Sequence, residues 1–273
     1  VRLLVTGGTG LLGSEVVAQA IARGDEVVAT TSRTPGLDTA GGVRWRHLDI
    51  TDREACAALL REVAPEAVVH TAYNYRDWTT TADGAAHVAL AATAVGAHLV
   101  HVSSDALFSG RRASYDESCV PDPITPYGAA KAAAETAVRA VAPTATIARS
   151  SLVLGPGSPM EKLVHDLIGG ADGVLFSDDV RCPVHRSDSA AALLELAGAR
   201  PTGIFHCGGA DAVSRVALGE LIAARDGLDL TGVRTGSRRD LPEPGPMEVR
   251  LDSRRTQAAL RTRLRGAREF LAP

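Results

Sequence analysis

Two short stretches of this chain carry residue types able to move a proton. One closes an apolar run as His101-Val102-Ser103-Ser104-Asp105, and a later one reads Pro126-Tyr127-Gly128-Ala129-Ala130-Lys131. Tyr127 and Lys131 are four residues apart and share a face if the segment is helical. A phenol with an ordinary pKa of about 10 exchanges protons poorly at neutral pH. A neighbouring ammonium favours the phenolate and lowers that pKa toward the working range. A serine at a strand end, here Ser104, can hydrogen-bond a substrate oxygen and stabilise charge developing on it. The set suits delivery of a proton to a carbonyl oxygen, but a Tyr-x-x-x-Lys pair by itself also describes two exposed helical residues. Its meaning depends on what stands around it.

A second constellation stands at the start. Val1–Val5 runs into Thr6-Gly7-Gly8-Thr9-Gly10-Leu11-Leu12-Gly13 and then into an amphipathic stretch. Gly7 permits a tight turn, Gly10 lets a pyrophosphate approach the backbone, and Gly13 lets the helix pack closely on the strand. Thr9, Leu11 and Leu12 complete the cradle. The helix N-terminus offers unpaired N–H groups and a positive dipole end to phosphates. A glycine triplet alone is weak; its place between an N-terminal strand and a helix makes it a dinucleotide site. The second strand ends Ala29-Thr30-Thr31-Ser32-Arg33 without the carboxylate that accepts from a ribose 2′-OH in NAD sites. Arg33 can pair with a 2′-phosphate and Ser32 can hydrogen-bond it, so NADP(H) is favoured and NAD(H) stays open. Arg33 otherwise reads as a solvated loop arginine. Asp49 and Ile50 close the third strand, where a carboxylate can reach an adenine amino group and an apolar side chain can cover the ring. Asp49 alternatively caps the following helix.

The elements that must position these residues are legible as alternating apolar runs and Ala-rich helical stretches. Strands are expected at Val1–Val5, Glu26–Thr31, Val43–Leu48, Ala67–His70, His98–Ser103 and Thr144–Arg149. Helices are expected at Leu11–Arg23, Asp52–Glu62, Ala82–Val95 and Pro126–Val141. Runs apolar on both faces, alternating with helices, indicate an α/β fold: a Rossmann-type, doubly wound parallel sheet covered on both sides. Right-handed crossovers gather the loops at the strands' carboxyl ends on one edge, where ligands bind. The division expected is residues 1–150 as the NADP-binding domain and residues 151–273 mainly as a smaller α/β substrate lobe, with some segments returning to the core. Helices are expected there at Ser187–Ala197 and Ser214–Arg225, short strands near Val174–Phe176 and Gly203–His206, and an exposed helix face from Arg254 to Arg268.

Composition sets the outer limits. The 273 residues, 45% of them hydrophobic, suffice for one large α/β core, while aromatics at 4% make that core aliphatic. A net charge of −3 gives no reason to expect nucleic acid or an anionic membrane as partner. The chain opens on a strand rather than a secretory signal and holds no apolar run long enough to span a bilayer, so the expected location is cytoplasmic. Cys56, Cys119, Cys182 and Cys207 are widely spaced and read as reduced thiols. The histidines are dispersed and no metal site is expected; His70, His101 and His206 read as core or strand-end residues.

Taken together, the chain resembles an extended short-chain dehydrogenase/reductase, closest to the dTDP-4-dehydrorhamnose reductase-like branch acting on nucleotide sugars. The carriers are Thr6–Gly13, Val102-Ser103-Ser104-Asp105-Ala106-Leu107-Phe108-Ser109-Gly110, Tyr127–Lys131, Arg149-Ser150-Ser151-Leu152-Val153-Leu154-Gly155, and Asp179-Val180-Arg181-Cys182-Pro183-Val184 with Ser187-Asp188. The resemblance implies NADPH-dependent reduction of a nucleotide-linked 4-keto-sugar. It places Ser104 as the catalytic hydroxyl, Tyr127 as the acid and Lys131 as its partner, which also grips the nicotinamide ribose. Thr71, Ala72, Tyr73 and Ser103 then lie along the cofactor. Ser104, Asp105, Leu152 and Arg181 face the substrate, with Arg149 as a further phosphate or structural contact. A homodimer is implied as well. The chain departs from that branch at Ala106 and Leu152, where aromatics are usual, and at Thr81, where an Asn is usual. The first two departures argue against assuming the branch's own sugar. Three alternatives remain: an epimerase or dehydratase retaining NAD, a reductase of a small natural-product ketone, and a non-catalytic NADP-binding regulatory subunit.

Overall fold

The computed structural model describes residues 1–33, 42–243 and 245–273. In chain order the strands are β1 (Arg2–Thr6), β2 (Glu26–Thr31), β3 (Val43–His47), β4 (Ala67–His70), β5 (His98–Ser104), β6 (Thr146–Ser150), β7 (Val153–Leu154), β8 (Leu175–Phe176), β9 (Val180–Arg181), β10 (Val184–His185), β11 (Gly203–Cys207), β12 (Val213–Ser214) and β13 (Thr235–Gly236). The longer helices are α1 (Leu11–Ala22), α2 (Arg53–Val63), α3 (Gly84–Ala94), α4 (Pro126–Val141), α5 (Pro159–Ile168), α6 (Arg186–Ala199) and α7 (Arg215–Asp226).

Seven strands form one parallel sheet in the order β11-β6-β5-β4-β1-β2-β3. The strand order reverses direction beside β1 and β4, which opens a crevice at their carboxyl ends. Side-chain alternation along the strands divides the core into two layers. Leu3, Val5, Val69 and Val100 pack with Val16, Val17 and Ala20 of α1 and Leu193, Leu194 and Leu196 of α6. Leu4, Val68, Leu99 and Ile147 pack on the opposite face with α2, α3 and α4 through Leu60, Val88 and Val138. Burying both faces explains why these strands read as continuous apolar runs.

The remaining chain builds a lobe over the crevice. Its core joins α5 and α7 through Met160, Val164, Leu218 and Ile222, with Leu175 and Leu271 closing it. Residues beyond 150 also serve the sheet: α6 covers one face, and β11 supplies an edge strand. The stretch expected as one exposed helix from Arg254 to Arg268 is two short helices, Arg254–Ala259 and Ala267–Phe270, with Leu260 and Leu264 between them turned into the sheet's core. Burial of those leucines, together with the Arg265–Asp188 ion pair at 2.7 Å, outweighs the helical propensity of the arginines. Among the described residues no helix is long and apolar enough to cross a membrane.

Candidate active site

Local sequence sets the start of α4. Thr125 caps it by accepting from the Gly128 N–H at 3.1 Å, and Pro126 occupies the first turn, where its missing N–H is harmless. Tyr127 therefore lies in the first turn and Lys131 one turn on. The helix seats against the short 3₁₀ turn Asp105–Leu107 that follows β5. A Cβ on Gly128 would come within 2.1 Å of the Ala106 carbonyl oxygen, so only glycine allows this approach. On that turn, Ser104 Oγ accepts from the Ala106 N–H at 3.1 Å. The hydroxyl, the phenol and the ammonium of Ser104, Tyr127 and Lys131 thus line one cleft of about 550 Å³ between the sheet edge and the lobe.

The electrostatics differ in one respect from the sequence expectation. Lys131 is only 4% exposed, and its Nζ donates to the Val102 carbonyl at 3.0 Å while lying 4.9 Å from the centre of the Tyr73 ring. Burial pushes its pKa down to about 8, against the opposing pull of Glu135. The Tyr127 phenol is not lowered but raised: burial dominates, Tyr73, Asp105 and Tyr75 add to it, and Ser104 works the other way. Desolvation of the phenolate thus prevails in the ligand-free cleft. Tyr127 is held protonated, the form a proton donor requires.

The dinucleotide cradle is also built. A Cβ on Gly13 would lie 2.2 Å from the Gly7 carbonyl oxygen, so α1 approaches β1's turn as closely as backbone permits. Gly10 is the N-cap of α1 and brings no side-chain cap, and the first turn holds no acidic residue. The orphan N–H groups therefore face the cleft, where Gly10, Leu11, Leu12 and Gly13 line it, while Thr9 is exposed beside them. Thr71 Oγ1 donates to the Thr6 carbonyl at 2.7 Å and fixes the β4 exit against the glycine turn, with Ala72 packed beside it. Tyr73 lines the cleft, and so does Ser103, whose buried Oγ has no partner among the described residues. These features fit a pyrophosphate and a ribose.

At the adenosine end, Ser32 and Arg33 are exposed beyond β2, and the Arg33 N–H donates to Thr31 Oγ1 at 3.1 Å. Asp49 is exposed, accepts from the Thr51 N–H and hydroxyl, and is held below the usual carboxylate range by those bonds. Asp52 rather than Asp49 caps α2, through the Ala55 N–H at 2.9 Å. Ile50 is buried, its side chain packed against Gly84 in the α2–α3 layer. The apolar surface of that layer accounts for its burial.

On the substrate side, Asp105, Leu152 and Arg181 all line the cleft. Asp105 is buried and accepts from the Ser151 hydroxyl at 2.6 Å, with Arg181 at 3.7 Å. Arg181 pairs with Asp179 at 2.8 Å and donates to the carbonyls of Val180, Met247 and Pro246, so it braces the lobe as well as facing the cleft. Arg149 is a structural residue: 1% exposed, it holds Glu135 through Nε at 2.9 Å and Nη2 at 2.8 Å. The histidines read as core are core: His70 and His101 stack at 5.3 Å, and burial lowers His70 to about 3. Thr81 fastens the loop after β4, donating to the Asn74 carbonyl at 2.7 Å and accepting from its N–H at 3.2 Å.

Among the cleft residues that escaped the sequence reading, three bear on its chemistry. Arg215 and Arg238 enter from the lobe, Arg215 pairing with Asp179 at 3.1 Å and Arg238 lying over the Phe176 ring. Nothing in their spacing marks them. Tyr75 lies against Tyr127, and a signal for it existed: Tyr73, Tyr75 and Trp78 crowd into six residues of an aromatic-poor chain.

Comparison with known proteins agrees with this geometry. The chain matches the RmlD substrate binding domain over residues 1–272. It is 33% identical to the dTDP-4-dehydrorhamnose reductase of Mycobacterium tuberculosis, covering 99% of this chain and 91% of that one. It is 27% identical to methionine adenosyltransferase 2 subunit beta of Bos taurus, covering 92% and 80%. In three dimensions it superposes on the dTDP-4-dehydrorhamnose reductase of Bacillus anthracis, solved in complex with NADP, with a TM-score of 0.85 at 21% identity, covering 98% of this chain and 96% of the other. With near-complete coverage at both levels, this chain belongs to the RmlD substrate-binding domain family.

Proposed function

We propose that this chain, an NAD(P)-dependent oxidoreductase by family, reduces the 4-keto group of a nucleotide-linked sugar, with NADPH as reductant and Tyr127 as proton donor. The observation that carries the reading is the meeting of Ser104, Tyr127 and Lys131 in one cleft beside an uncapped, glycine-seated helix N-terminus. The bound dinucleotide supplies the hydride. Ser104 hydrogen-bonds the carbonyl oxygen and stabilises the alkoxide charge that develops there. Tyr127 gives that oxygen its proton. Lys131, desolvated beside Tyr73, holds the cofactor ribose and offsets the phenolate charge left on Tyr127. Ser32 and Arg33, which follow a second strand that ends without a carboxylate, favour a 2′-phosphate and hence NADPH. Arg215 and Arg238 give the lobe side of the cleft the cationic character a sugar nucleotide's diphosphate needs. By the same family resemblance the enzyme works in the cytoplasm as a homodimer.

The test is NADPH oxidation against a panel of nucleotide-linked keto-sugars and simple ketones, with NADH alongside. Tyr127→Phe loses roughly 10²–10⁴-fold in turnover while keeping NADPH affinity. Near-normal turnover by that variant removes Tyr127 as donor. A second reading has one observation in its favour, the relative named as a subunit of methionine adenosyltransferase 2. A protein that binds NADPH and turns over none of the panel supports that binding role instead.

A further inference from the structure

We propose that Tyr75 is the residue that positions the substrate's sugar ring against Tyr127; the inference rests on the nucleotide-sugar reading above. The Tyr75 ring lies 4.5 Å from the Tyr127 ring, centre to centre, at an interplanar angle of 33°, closer than Tyr73 at 5.8 Å. It is nevertheless 65% exposed, so most of its surface is turned away from the protein. An aromatic ring left in water beside the reacting phenol is apolar surface available for a ligand to cover.

Two rings flank Tyr127, and Tyr73 is itself 53% exposed. The same cleft is lined by the aliphatic side chains of Ala106, Leu152, Val153 and Pro159 and by Arg181, Arg215 and Arg238. Tyr73 is engaged beneath the Lys131 ammonium at 4.9 Å. Tyr75, the more exposed of the two and with no cation over its face among the described residues, is thus the ring open to a planar or C–H-lined face at the reacting end. A group in contact with both Tyr75 and Tyr127 is the part of the substrate being reduced. That part is the sugar ring, whose C–H face suits an aromatic surface, and not the base at the far end of a diphosphate.

The position of Tyr75 is built rather than incidental. Asn74 Oδ1 accepts from the Arg76 N–H at 3.1 Å, and the Asn74 carbonyl accepts from the Asp77 N–H at 3.1 Å. Thr81 then clamps the Asn74 N–H and carbonyl from the first turn of the following helical segment, and Asp77 accepts from the Thr80 N–H at 2.8 Å. These bonds make a rigid turn whose projecting residue is Tyr75. A positioning side chain needs this kind of support, because a misplaced reacting group loses rate steeply.

The test measures Tyr75→Ala and Tyr75→Phe with three probes: NADPH, dTDP, and dTDP-4-dehydrorhamnose with its reduced product dTDP-rhamnose. Expected for Tyr75→Ala is a rise of about tenfold in KM for the keto-sugar and a matching loss of calorimetric affinity for dTDP-rhamnose, equivalent to about 1.4 kcal/mol. The affinities for NADPH and dTDP stay within twofold, and Tyr75→Phe restores the sugar affinity, because the ring and not the hydroxyl makes the contact. Equal loss of dTDP affinity would assign the ring to the base and overturn the proposal. Loss of NADPH affinity, or unchanged sugar affinity in Tyr75→Ala, also overturns it. Product binding by calorimetry needs no turnover. A parent protein that binds dTDP-rhamnose but reduces nothing therefore refutes the proposed reaction without deciding against Tyr75.

Discussion

Replacing Gly128 by Ala puts the site's geometry to a sharp test. The added methyl would sit 2.1 Å from the Ala106 carbonyl oxygen, a backbone atom that cannot swing aside. Helix α4 and the Asp105–Leu107 turn must therefore separate by roughly 1 Å, an amount able to cost about 10²-fold in rate when reacting groups are misplaced. Tyr127 travels with the helix and Ser104 with the turn, so the displacement falls between the two hydroxyls. The stability effect is smaller. Overpacking costs about 1–3 kcal/mol, and the better helix propensity of Ala returns about 1 kcal/mol. A net loss of roughly 0–2 kcal/mol lowers the melting temperature by no more than about 8 °C in a chain of this size. The expected outcome is a folded protein with near-parental NADPH affinity and kcat reduced about a hundredfold. A crystal structure of the variant should show Ser104 and Tyr127 further apart. Turnover within threefold of the parent, or an unmoved helix, would refute the claim that this contact sets the catalytic geometry.

The other predictions concern charge. Glu135→Ala leaves Arg149 buried without its carboxylate and should cost about 3–5 kcal/mol, read by denaturant unfolding; a loss below 1 kcal/mol would mean water or another residue takes over. Lys131, lowered by burial to about 8, predicts that kcat falls as pH rises through about 8, because the ammonium is lost. Stability should move the opposite way. The folded pKa lies below the ordinary lysine value of 10.5, so the cost of burying the ammonium is full below about 8 and relieved as pH climbs toward 10.5. The parent's kcat and melting temperature measured across that window, with Lys131→Met lacking the stability slope, check both signs. Arg33→Ala should weaken NADPH about tenfold more than NADH in fluorescence titrations; equal loss for both would leave Arg33 as a solvated loop residue.

Much of this protein was determined by local sequence. Alternating apolar runs and Ala-rich stretches dictate a parallel sheet, because strands buried on both faces must be apolar throughout. The glycine spacing from Gly7 to Gly13 dictates a close strand–turn–helix, since a side chain at Gly13 would collide with backbone. The four-residue step from Tyr127 to Lys131 places them on one helix face. These signals are short-range, and each follows from backbone geometry over a dozen residues or fewer. Tertiary structure decided what depends on neighbours distant in sequence. Burial, not the nearby ammonium, governs Tyr127, because desolvation is set by every element closing the cleft. Ile50 is buried because α3 packs over it. Arg149 became a buried partner of Glu135 while Arg215 and Arg238 reached the cleft, a sorting that only the lobe's placement over the sheet edge could make. Tyr75 belongs to both: its rarity was visible in the sequence, but its contact with Tyr127 exists only once the turn after β4 meets the start of α4.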